Sequence, residues 1–425
     1  MKVLLIQAHS PSNSGDLALL EESLYHLKKA FPQSEITVSI NDNSRADLLP
    51  SGATYLPSLT RWVVTLSADR SWTWNKARAV LMGLWLVLVT WAKRLLGIGW
   101  LPKTQSQRLL LNAYYEADLI AVAAGGHLYA HRSLDISFAW SWLSIALGIF
   151  LKKPIVFLPQ SFGPFTSAWH KTALRYLFDR SALILAREPI SYALLETIHT
   201  RSKISLMPDV AFRATQAFAE MQSAAPKNSA HPQIGFTLMD WGSQNRFFGA
   251  QSRYEEAMVA LAKHACREYI ATVFFFAQCT GPTPDQDDRI IARRIHAQVL
   301  KEIPADQLVL IDRELNPDQL RKAYAALDVL VATRMHSAIF ALSMKVPALV
   351  IGYLHKSLGI MQSIQLSEWL LNIKQIQSGA AIQKFDALWN ARQAVRESLE
   401  QQLPQIDSKL NTLSQMIYSS VQKRH

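Results

Sequence analysis

Two sets of short apolar segments, each alternating with helical patterns, most constrain what this 425-residue chain can fold into. The segments with β-strand character are "KVLLIQA", "SEITVSI", "DLIAVAA", "PIVFLPQ", "ALILARE" and "KISLMPD" in the first set, and "QIGFTLM", "ATVFFFAQ", "QLVLID", "VLVAT" and "ALVIGY" in the second. Strands that alternate with helices in this way predict βαβ units and parallel sheets. We therefore predict an α/β protein with two doubly wound domains that face a cleft.

The boundary between the two sets falls in a segment rich in Ala, Ser, Pro, Asn and Gln, which is typical of a linker. A chain of this length is also too long for one ordinary core. The predicted parts are an N-terminal domain over 1–212 with an apolar insertion at about 72–101, a linker over 213–232, a C-terminal domain over 233–384, and C-terminal helices over 385–425.

The composition narrows the class of partner. The formal net charge is +11, which favours an anionic partner such as a phosphorylated small molecule or an acidic membrane surface. Nucleic acid is not expected, because the basic residues are dispersed and no nucleic-acid-binding signature occurs. The two cysteines, Cys266 and Cys279, stand in no Cys/His cluster, so we expect a reducing cytoplasm rather than a disulfide framework. The N-terminal apolar run is too short for a signal peptide.

One segment departs from the alternation. Residues 79–92, "AVLMGLWLVLVTWA", are continuously apolar, with Arg78 before them and Lys93 and Arg94 after them. A helix of this length is about 20 Å long, shorter than the ~30 Å hydrocarbon core of a bilayer. The flanking bases and nearby tryptophans predict an anchor on a membrane surface. A core helix or a protein–protein contact explains the segment equally well, and both interpretations stay open.

Ligands of doubly wound sheets bind beyond the carboxyl ends of the strands, so the loops there are the candidate sites. After the first strand come Asn13, Gly15 and Asp16. They form either an ordinary helix cap and turn or a helix N-terminus that approaches a polar ligand. The spacing is neither a dinucleotide motif nor a P-loop. After a middle strand, Gly125 and Gly126 would let a ligand or a neighbouring backbone come close.

Three further loops of the first set carry polar groups. Gln160 and Ser161 offer an amide and a hydroxyl suited to sugar hydroxyls, although a capped turn explains them nearly as well. Arg187 either pairs with Glu188 or Asp209, or presents its guanidinium to a phosphate or carboxylate. Both interpretations of Arg187 stay open.

The segment "TRMHS" in the second set is the strongest candidate site. In an extended segment Arg334 and His336 would share a face. Ser337 is predicted to cap the following helix. An arginine, a histidine and a helix N-terminus at one place predict an anion site that contains a titratable group. No acidic residue lies within 329–353 to pair with Arg334, which favours function over a structural ion pair.

Three acidic residues, Asp285, Asp287 and Asp288, stand at the start of a later helix. Acidic residues are stabilised there by the helix dipole, and we interpret these as a solvated helix start. A metal site remains open at this segment, but none is predicted.

Several motifs occur in an order that is similar to a known family: "NSGD", "GG", "QSFGPF", "ARE", "PDVAF" and "TRMHSAIFALSMKVPALVIGY". The chain resembles the polysaccharide pyruvyl transferase family over roughly residues 1–365. The resemblance implies a GT-B-like fold with two Rossmann-like domains around a cleft. It also implies transfer of pyruvyl from phosphoenolpyruvate to two hydroxyls of a sugar as a ketal, with release of phosphate, in the biosynthesis of exopolysaccharide or cell-surface polysaccharide.

The resemblance assigns roles to the candidate residues. Arg187, Arg334 and Ser337 would bind phosphoenolpyruvate, and His336 would be the acid that protonates its methylene carbon. The residues on the acceptor side or in the cleft would be Asn13, Gly15, Asp16, Gly125, Gly126, Gln160, Ser161 and Asp209. Phosphoenolpyruvate is a co-substrate, and no cofactor is expected. The saccharide acceptor is expected to be carried on a polyprenyl lipid. The protein is expected in the cytoplasm, and its peripheral attachment to the inner face of the cytoplasmic membrane stays open.

The chain departs from the family pattern at three places. Glu188 stands where many relatives have Asp, His127 replaces a third glycine, and a motif with His is altered to "QCTGP". These departures bear on the identity of the acceptor. Two alternatives to a pyruvyltransferase stay open. One is another enzyme, a nucleotide-sugar glycosyltransferase of the same fold, and the other is a non-catalytic scaffold of a polysaccharide assembly complex.

Overall fold

The chain folds into two compact units in a computed structural model that describes residues 1–64, 72–99, 102, 104–130, 132–213, 230–244, 248–352 and 355–422. The N-terminal unit comprises Met1–Pro11, Leu19–Val210 and Asn411–His425. The C-terminal unit comprises Ser12–Ala18 and Ala211–Leu410. Most of the predicted linker, 213–232, lies outside the described residues.

The sheet of the N-terminal unit is parallel throughout. Its strands are β1 (Lys2–Ala8), β2 (Glu35–Ile40), β3 (Thr54–Pro57), β4 (Leu119–Val122), β5 (Gly125–Ala130), β6 (Ile155–Phe165), β7 (Leu183–Ala186) and β8 (Ile204–Leu206). They are ordered β3-β2-β1-β4-β6-β7-β8, and β5 also pairs with β6. Every residue of β4 and β7 is buried, as expected for strands covered on both faces.

Helices cover this sheet. They are α1 (Ser14–Ala30), α2 (Leu59–Val64), α3 (Trp72–Leu96), α4 (Gln105–Glu116), α5 (Ile136–Phe150), α6 (Ala168–Phe178) and α7 (Pro189–Glu196). The first turn of α1 groups with the C-terminal unit and the rest of α1 with the N-terminal unit.

Helix α3 is longer than the sequence predicts. It has 25 residues and is therefore about 37 Å long. Its segment Ala77–Leu96 is long and apolar enough to cross a membrane by length and composition alone, and 22% of that segment is buried. The prediction of a helix too short for a bilayer is wrong, because the residues that flank the apolar run on both sides are also helical.

The sheet of the C-terminal unit is also parallel. Its strands are β9 (Gln233–Thr237), β10 (Thr272–Phe276), β11 (Leu308–Ile311), β12 (Val329–Ala332), β13 (Ala348–Gly352) and β14 (Leu370–Asn372). The order β11-β10-β9-β12-β13-β14 is that of a Rossmann sheet. The N-terminal sheet contains the same order with β5 and β8 added, so the prediction of two Rossmann-like α/β domains is confirmed.

The helices of this unit are α8 (Trp241–Gln244), α9 (Gln251–Glu268), α10 (Asp288–Val299), α11 (Pro317–Ala325), α12 (Met335–Ser343), α13 (His355–Ser363) and α14 (Ser378–Gln422). Single turns of 3-10 helix lie at Ala46–Leu48, Val210–Phe212, Pro284–Gln286, Ala305–Gln307, Ser367–Trp369 and Ile373–Gln375. The predicted C-terminal helices from 385 are one continuous helix that begins seven residues earlier.

The last turns of α14 pack in the N-terminal unit. Ser414 Oγ lies 2.9 Å from His26 Nδ1 on α1. The ring of Tyr418 lies 5.8 Å from that of Phe31, measured between centroids. Leu413 and Ile417 are fully buried beside them. The C-terminal end of α14 therefore belongs to the core of the N-terminal unit, although about 200 residues of the C-terminal unit separate the two in the sequence.

Candidate active site

Arg334 is held by a buried carboxylate. It is the N-cap of α12, and its Nη2 donates to Asp288 Oδ1 at 2.6 Å, while Nε lies 3.2 Å from both oxygens. The Asp288 side chain is 1% exposed and also accepts from the Cys279 backbone N–H at 2.9 Å. Burial raises the pKa of the Asp288 carboxyl, and Arg334 opposes that shift. The predicted solvated helix start is therefore wrong for Asp288, and Arg334 has the acidic partner that residues 329–353 lack.

The His336 ring lies against Gly15. A Cβ atom on Gly15 would collide with the Nδ1, Cγ and Cβ atoms of His336. Gly15 is in the first turn of α1, where its N–H donates to Asn13 Oδ1 at 3.0 Å. The histidine can occupy this place only because residue 15 has no side chain. The structure thus joins the "NSGD" and "TRMHS" motifs within the C-terminal unit.

Backbone bonds fix the first turn of α1 in the C-terminal unit. The Ser14 N–H donates to Gln278 O at 3.1 Å, and the Thr280 N–H donates to Ser12 O at 2.8 Å. Asn13 and Cys279 form an isolated antiparallel bridge between these bonds. The loop after β10 therefore sets the position of Gly15 against His336.

Ser337 differs from the prediction in its place on the helix. Helix α12 begins at Met335 with Arg334 as its N-cap, so the prediction that Ser337 caps the helix is wrong. His336 is in the first helical turn and does not continue an extended segment. The Ser337 hydroxyl is buried and bonds to Arg334 O and to Thr237 Oγ1, each at 2.6 Å. These bonds tie the start of α12 to the end of β9.

A buried group of hydroxyls, which the sequence did not reveal, also holds the start of α12 near the end of β9. Thr333 Oγ1 lies 2.8 Å from Tyr254 Oη, which also accepts from the Met239 N–H at 3.3 Å. The Thr333 N–H donates to Thr237 O at 3.1 Å. Burial raises the pKa of Tyr254, which stays a neutral hydroxyl. Their position at the carboxyl ends of strands could have identified these threonines, because Thr237 ends β9 and Thr333 follows β12.

The N-terminal unit holds a second group of candidate residues. Arg187 is buried, with Nη1 2.6 Å from Asp209 Oδ2 and Nε 2.8 Å from Ser161 Oγ. A Cβ on Gly126 would lie 3.6 Å from Arg187 Nη2, an ordinary van der Waals distance, so the backbone of this loop passes close to the guanidinium. Of the two acids that the sequence offered to Arg187, the ion pair is with Asp209. Glu188 instead caps α7 by accepting from the backbone N–H of residue 191 at 2.9 Å.

The remaining candidates have separate surroundings. Gln160 is fully buried and its Nε2 donates to Ala123 O at 2.7 Å. Gly125 has a φ of +144°, which glycine adopts without strain, where β4 gives way to β5. Asp16 lies in the first turn of α1 and is half-buried. Within the described ranges, no group of three or more His, Cys, Asp or Glu side chains could hold a metal ion.

These features define a protein with two Rossmann-like units, whose C-terminal unit holds a buried Arg334–Asp288 pair and, two residues beyond Arg334, a histidine against the start of α1. Solved structures share the fold. The UDP-GlcNAc 2-epimerase of Neisseria meningitidis bound to UDP-GlcNAc is 11% identical, with a TM-score of 0.57 and coverage of 100% of both chains. An α,α-trehalose-phosphate synthase (UDP-forming) from Burkholderia vietnamiensis is 12% identical, with a TM-score of 0.54 and coverage of 100% of both chains.

The sequence comparison gives the family. The model of the family described as polysaccharide pyruvyl transferase matches residues 13–355, so the chain belongs to that family and the resemblance is confirmed. A similar curated protein is the amylovoran biosynthesis protein AmsJ of Erwinia amylovora, 25% identical over 282 residues. The match covers 64% of this chain and 66% of AmsJ, so the chain spans just under two thirds of that relative's length.

Proposed function

We propose that the protein transfers the pyruvyl group of phosphoenolpyruvate to two hydroxyls of a saccharide, as a ketal, during the biosynthesis of an exopolysaccharide or cell-surface polysaccharide. The observation that carries the proposal is the contact of His336 with Gly15 beside the Arg334–Asp288 pair. It joins two separate motifs of the family around one ionisable ring and one guanidinium.

The donor chemistry suits these residues. Phosphoenolpyruvate carries a phosphate and a carboxylate, and a guanidinium binds such groups with charge-assisted hydrogen bonds. Asp288 orients Arg334 through its Nε and Nη2 atoms. The N-terminus of α12 adds backbone N–H groups and the positive end of a helix dipole. Arg334 and the helix start would bind the anion next to His336.

The proposed reaction has two stages, in each of which one sugar hydroxyl adds to the same carbon. His336 in its protonated form donates a proton to the methylene carbon, which becomes a methyl group and leaves an oxocarbenium centre at the neighbouring carbon. One sugar hydroxyl attacks that carbon and loses its proton. The carbon–oxygen bond to phosphate then breaks, and a second hydroxyl of the same sugar attacks and loses its proton. The first hydroxyl proton restores His336, and the second leaves with phosphate.

The acceptor is proposed from the family and from the polar groups of the N-terminal unit. AmsJ is named for the biosynthesis of amylovoran, which supports an exopolysaccharide acceptor. We propose that it is carried on a polyprenyl lipid. Cys266 and Cys279 are free and buried thiols, in keeping with a cytoplasmic site of action.

The donor proposal is tested by calorimetric titration of the protein with phosphoenolpyruvate and, separately, with a nucleotide sugar. We expect phosphoenolpyruvate to bind the native protein and to bind Arg334→Lys at least about tenfold more weakly, since a point charge does not replace a guanidinium fork. Arg293→Lys, an exposed pair with Asp312, is the matched control and should bind normally. Binding of the nucleotide sugar alone would contradict the proposal and support a glycosyltransferase.

A further inference from the structure

Helix α3 of the N-terminal unit presents an apolar face that the described part of the chain does not cover. Apart from Leu96 at its end, six large apolar side chains in the described part of this helix are exposed, between 43% and 66%: Val80, Leu81, Leu84, Leu88, Trp91 and Leu95. At about 100° per residue they all fall within an arc of roughly 100°. We call these six residues the α3 stripe. From its first to its last residue it is about 22 Å long.

The opposite face of α3 is packed against the unit. Leu86 and Val89 are fully buried. A Cβ on Gly83 would lie 3.5 Å from Leu143 of α5, and Arg94 Nη1 lies 3.3 Å from Phe150 O at the end of α5. The helix is therefore fixed to α5 between Gly83 and Arg94. Because one face of α3 packs against the folded unit, the helix cannot cross a bilayer in this position. The stripe can therefore only lie along a surface.

The charge around the stripe identifies the kind of surface. Residues 70–115 contain seven Lys or Arg and no Asp or Glu. Arg78 and Arg94 are exposed, and on a helical projection Arg78 stands about 60° beyond one edge of the stripe and Arg94 about 40° beyond the other. The Arg94 guanidinium lies 5.6 Å from the centre of the Trp91 ring. Bases at the edges of an apolar stripe that contains a tryptophan are typical of a helix in the plane of an anionic membrane interface.

The same charges disfavour a second copy of the chain as the occupant. Two stripes facing each other would bring two acid-free, strongly basic segments together, and like charges destabilise such a contact. We propose that the α3 stripe binds the surface of an anionic lipid bilayer, with the helix axis parallel to the membrane plane. This inference does not depend on the proposed reaction.

Sedimentation with lipid vesicles tests the proposal. We expect the native protein to bind vesicles of phosphatidylcholine with phosphatidylglycerol, to bind phosphatidylcholine alone weakly, and to be released by salt. Leu84→Glu/Leu88→Glu should lower the partition coefficient at least about tenfold, because two charges enter the apolar face. The matched control, Ile290→Glu/Leu300→Glu, changes side chains 42% and 43% exposed in the C-terminal unit and should bind normally.

A second measurement keeps the test sharp if the double variant fails to fold. Leu88→Cys can be labelled with an environment-sensitive dye, because Cys266 and Cys279 are buried and burial raises their pKa to about 11 and about 12. We expect a blue shift of the dye emission with anionic vesicles. Three results would overturn the proposal: native protein that stays in the supernatant, a dye without a shift, or a native dimer that the stripe variant converts to monomer. If the protein bound vesicles but transferred no pyruvyl group, that result would contradict the proposed function and leave the membrane proposal standing.

Discussion

The contact of Gly15 with His336 depends on the absence of a single atom. A Cβ on residue 15 would occupy the position of the imidazole ring, and the surrounding backbone bonds leave the first turn of α1 little freedom to move away. The ring must therefore shift if residue 15 gains a side chain. A displacement of about 1 Å at a reacting group can cost roughly a hundredfold in rate. The glycine is thus a requirement of the site and not of the helix.

Gly15→Ala should lower kcat/KM by at least about a hundredfold while the protein remains folded, because alanine favours a helix by about 1 kcal/mol relative to glycine. Steady-state kinetics and circular dichroism check the two halves of this prediction. Gly379→Ala is the matched control, since Gly379 also lies in the first turn of a helix and a Cβ there meets no atom within 4 Å. Full activity of Gly15→Ala would contradict the placement of His336.

Asp288→Asn should lower the free energy of unfolding by about 3 kcal/mol, because it removes the charge that compensates Arg334 in a poorly solvated place. Urea denaturation measures the change. Asp287→Asn is the control next to it: that carboxylate is 15% exposed, pairs with Arg289 and caps α10. Asparagine caps a helix about as well, so this change should cost no more than about 1 kcal/mol. Equal losses in the two variants would show that Asp288 and Arg334 do not form the buried pair.

At the scale of elements, most strands were predictable, but β3, β5, β14 and the ends of the helices were not. Strands such as β4 and β12 are buried on both faces and therefore read as continuous apolar runs. Helix α3 extends beyond its apolar run in both directions, so hydrophobicity alone gave bounds that are too narrow. The start of α12 at Met335 was missed because its N-cap, Arg334, is an arginine whose side chain makes no capping bond, whereas Ser, Thr, Asp and Asn are the residues expected there.

Helix α14 stabilises the N-terminal unit through its last turns. Ile417→Ala should lower the free energy of unfolding of that unit by about 3 kcal/mol, since it opens a cavity at a fully buried position. Gln415→Ala, on the exposed face of the same helix, should change it by less than about 0.5 kcal/mol. Urea denaturation followed by hydrogen exchange of α1 checks the difference. Unchanged protection of α1 in Ile417→Ala would contradict the packing.

At the scale of the whole molecule, the sequence was sufficient for the fold class, but not for the partners of the candidate site residues. Arg334 and His336 were recognisable because they follow a buried strand. Asp288 was not recognised as the partner of Arg334, because it stands at the start of another helix and only the fold brings the two together. The role of Gly15 was likewise hidden, since a close approach by a distant ring leaves no local pattern.

The central claim is that His336 protonates the methylene carbon of phosphoenolpyruvate and that the pyruvyl group then joins a saccharide. The most direct measurement is mass spectrometry of a lipid-linked saccharide after incubation with the protein and phosphoenolpyruvate in deuterium oxide. We expect a saccharide that gains one pyruvyl ketal with one solvent deuterium in its methyl group, and no product with His336→Ala. An unchanged saccharide, a ketal without deuterium, or full activity of His336→Ala would contradict it.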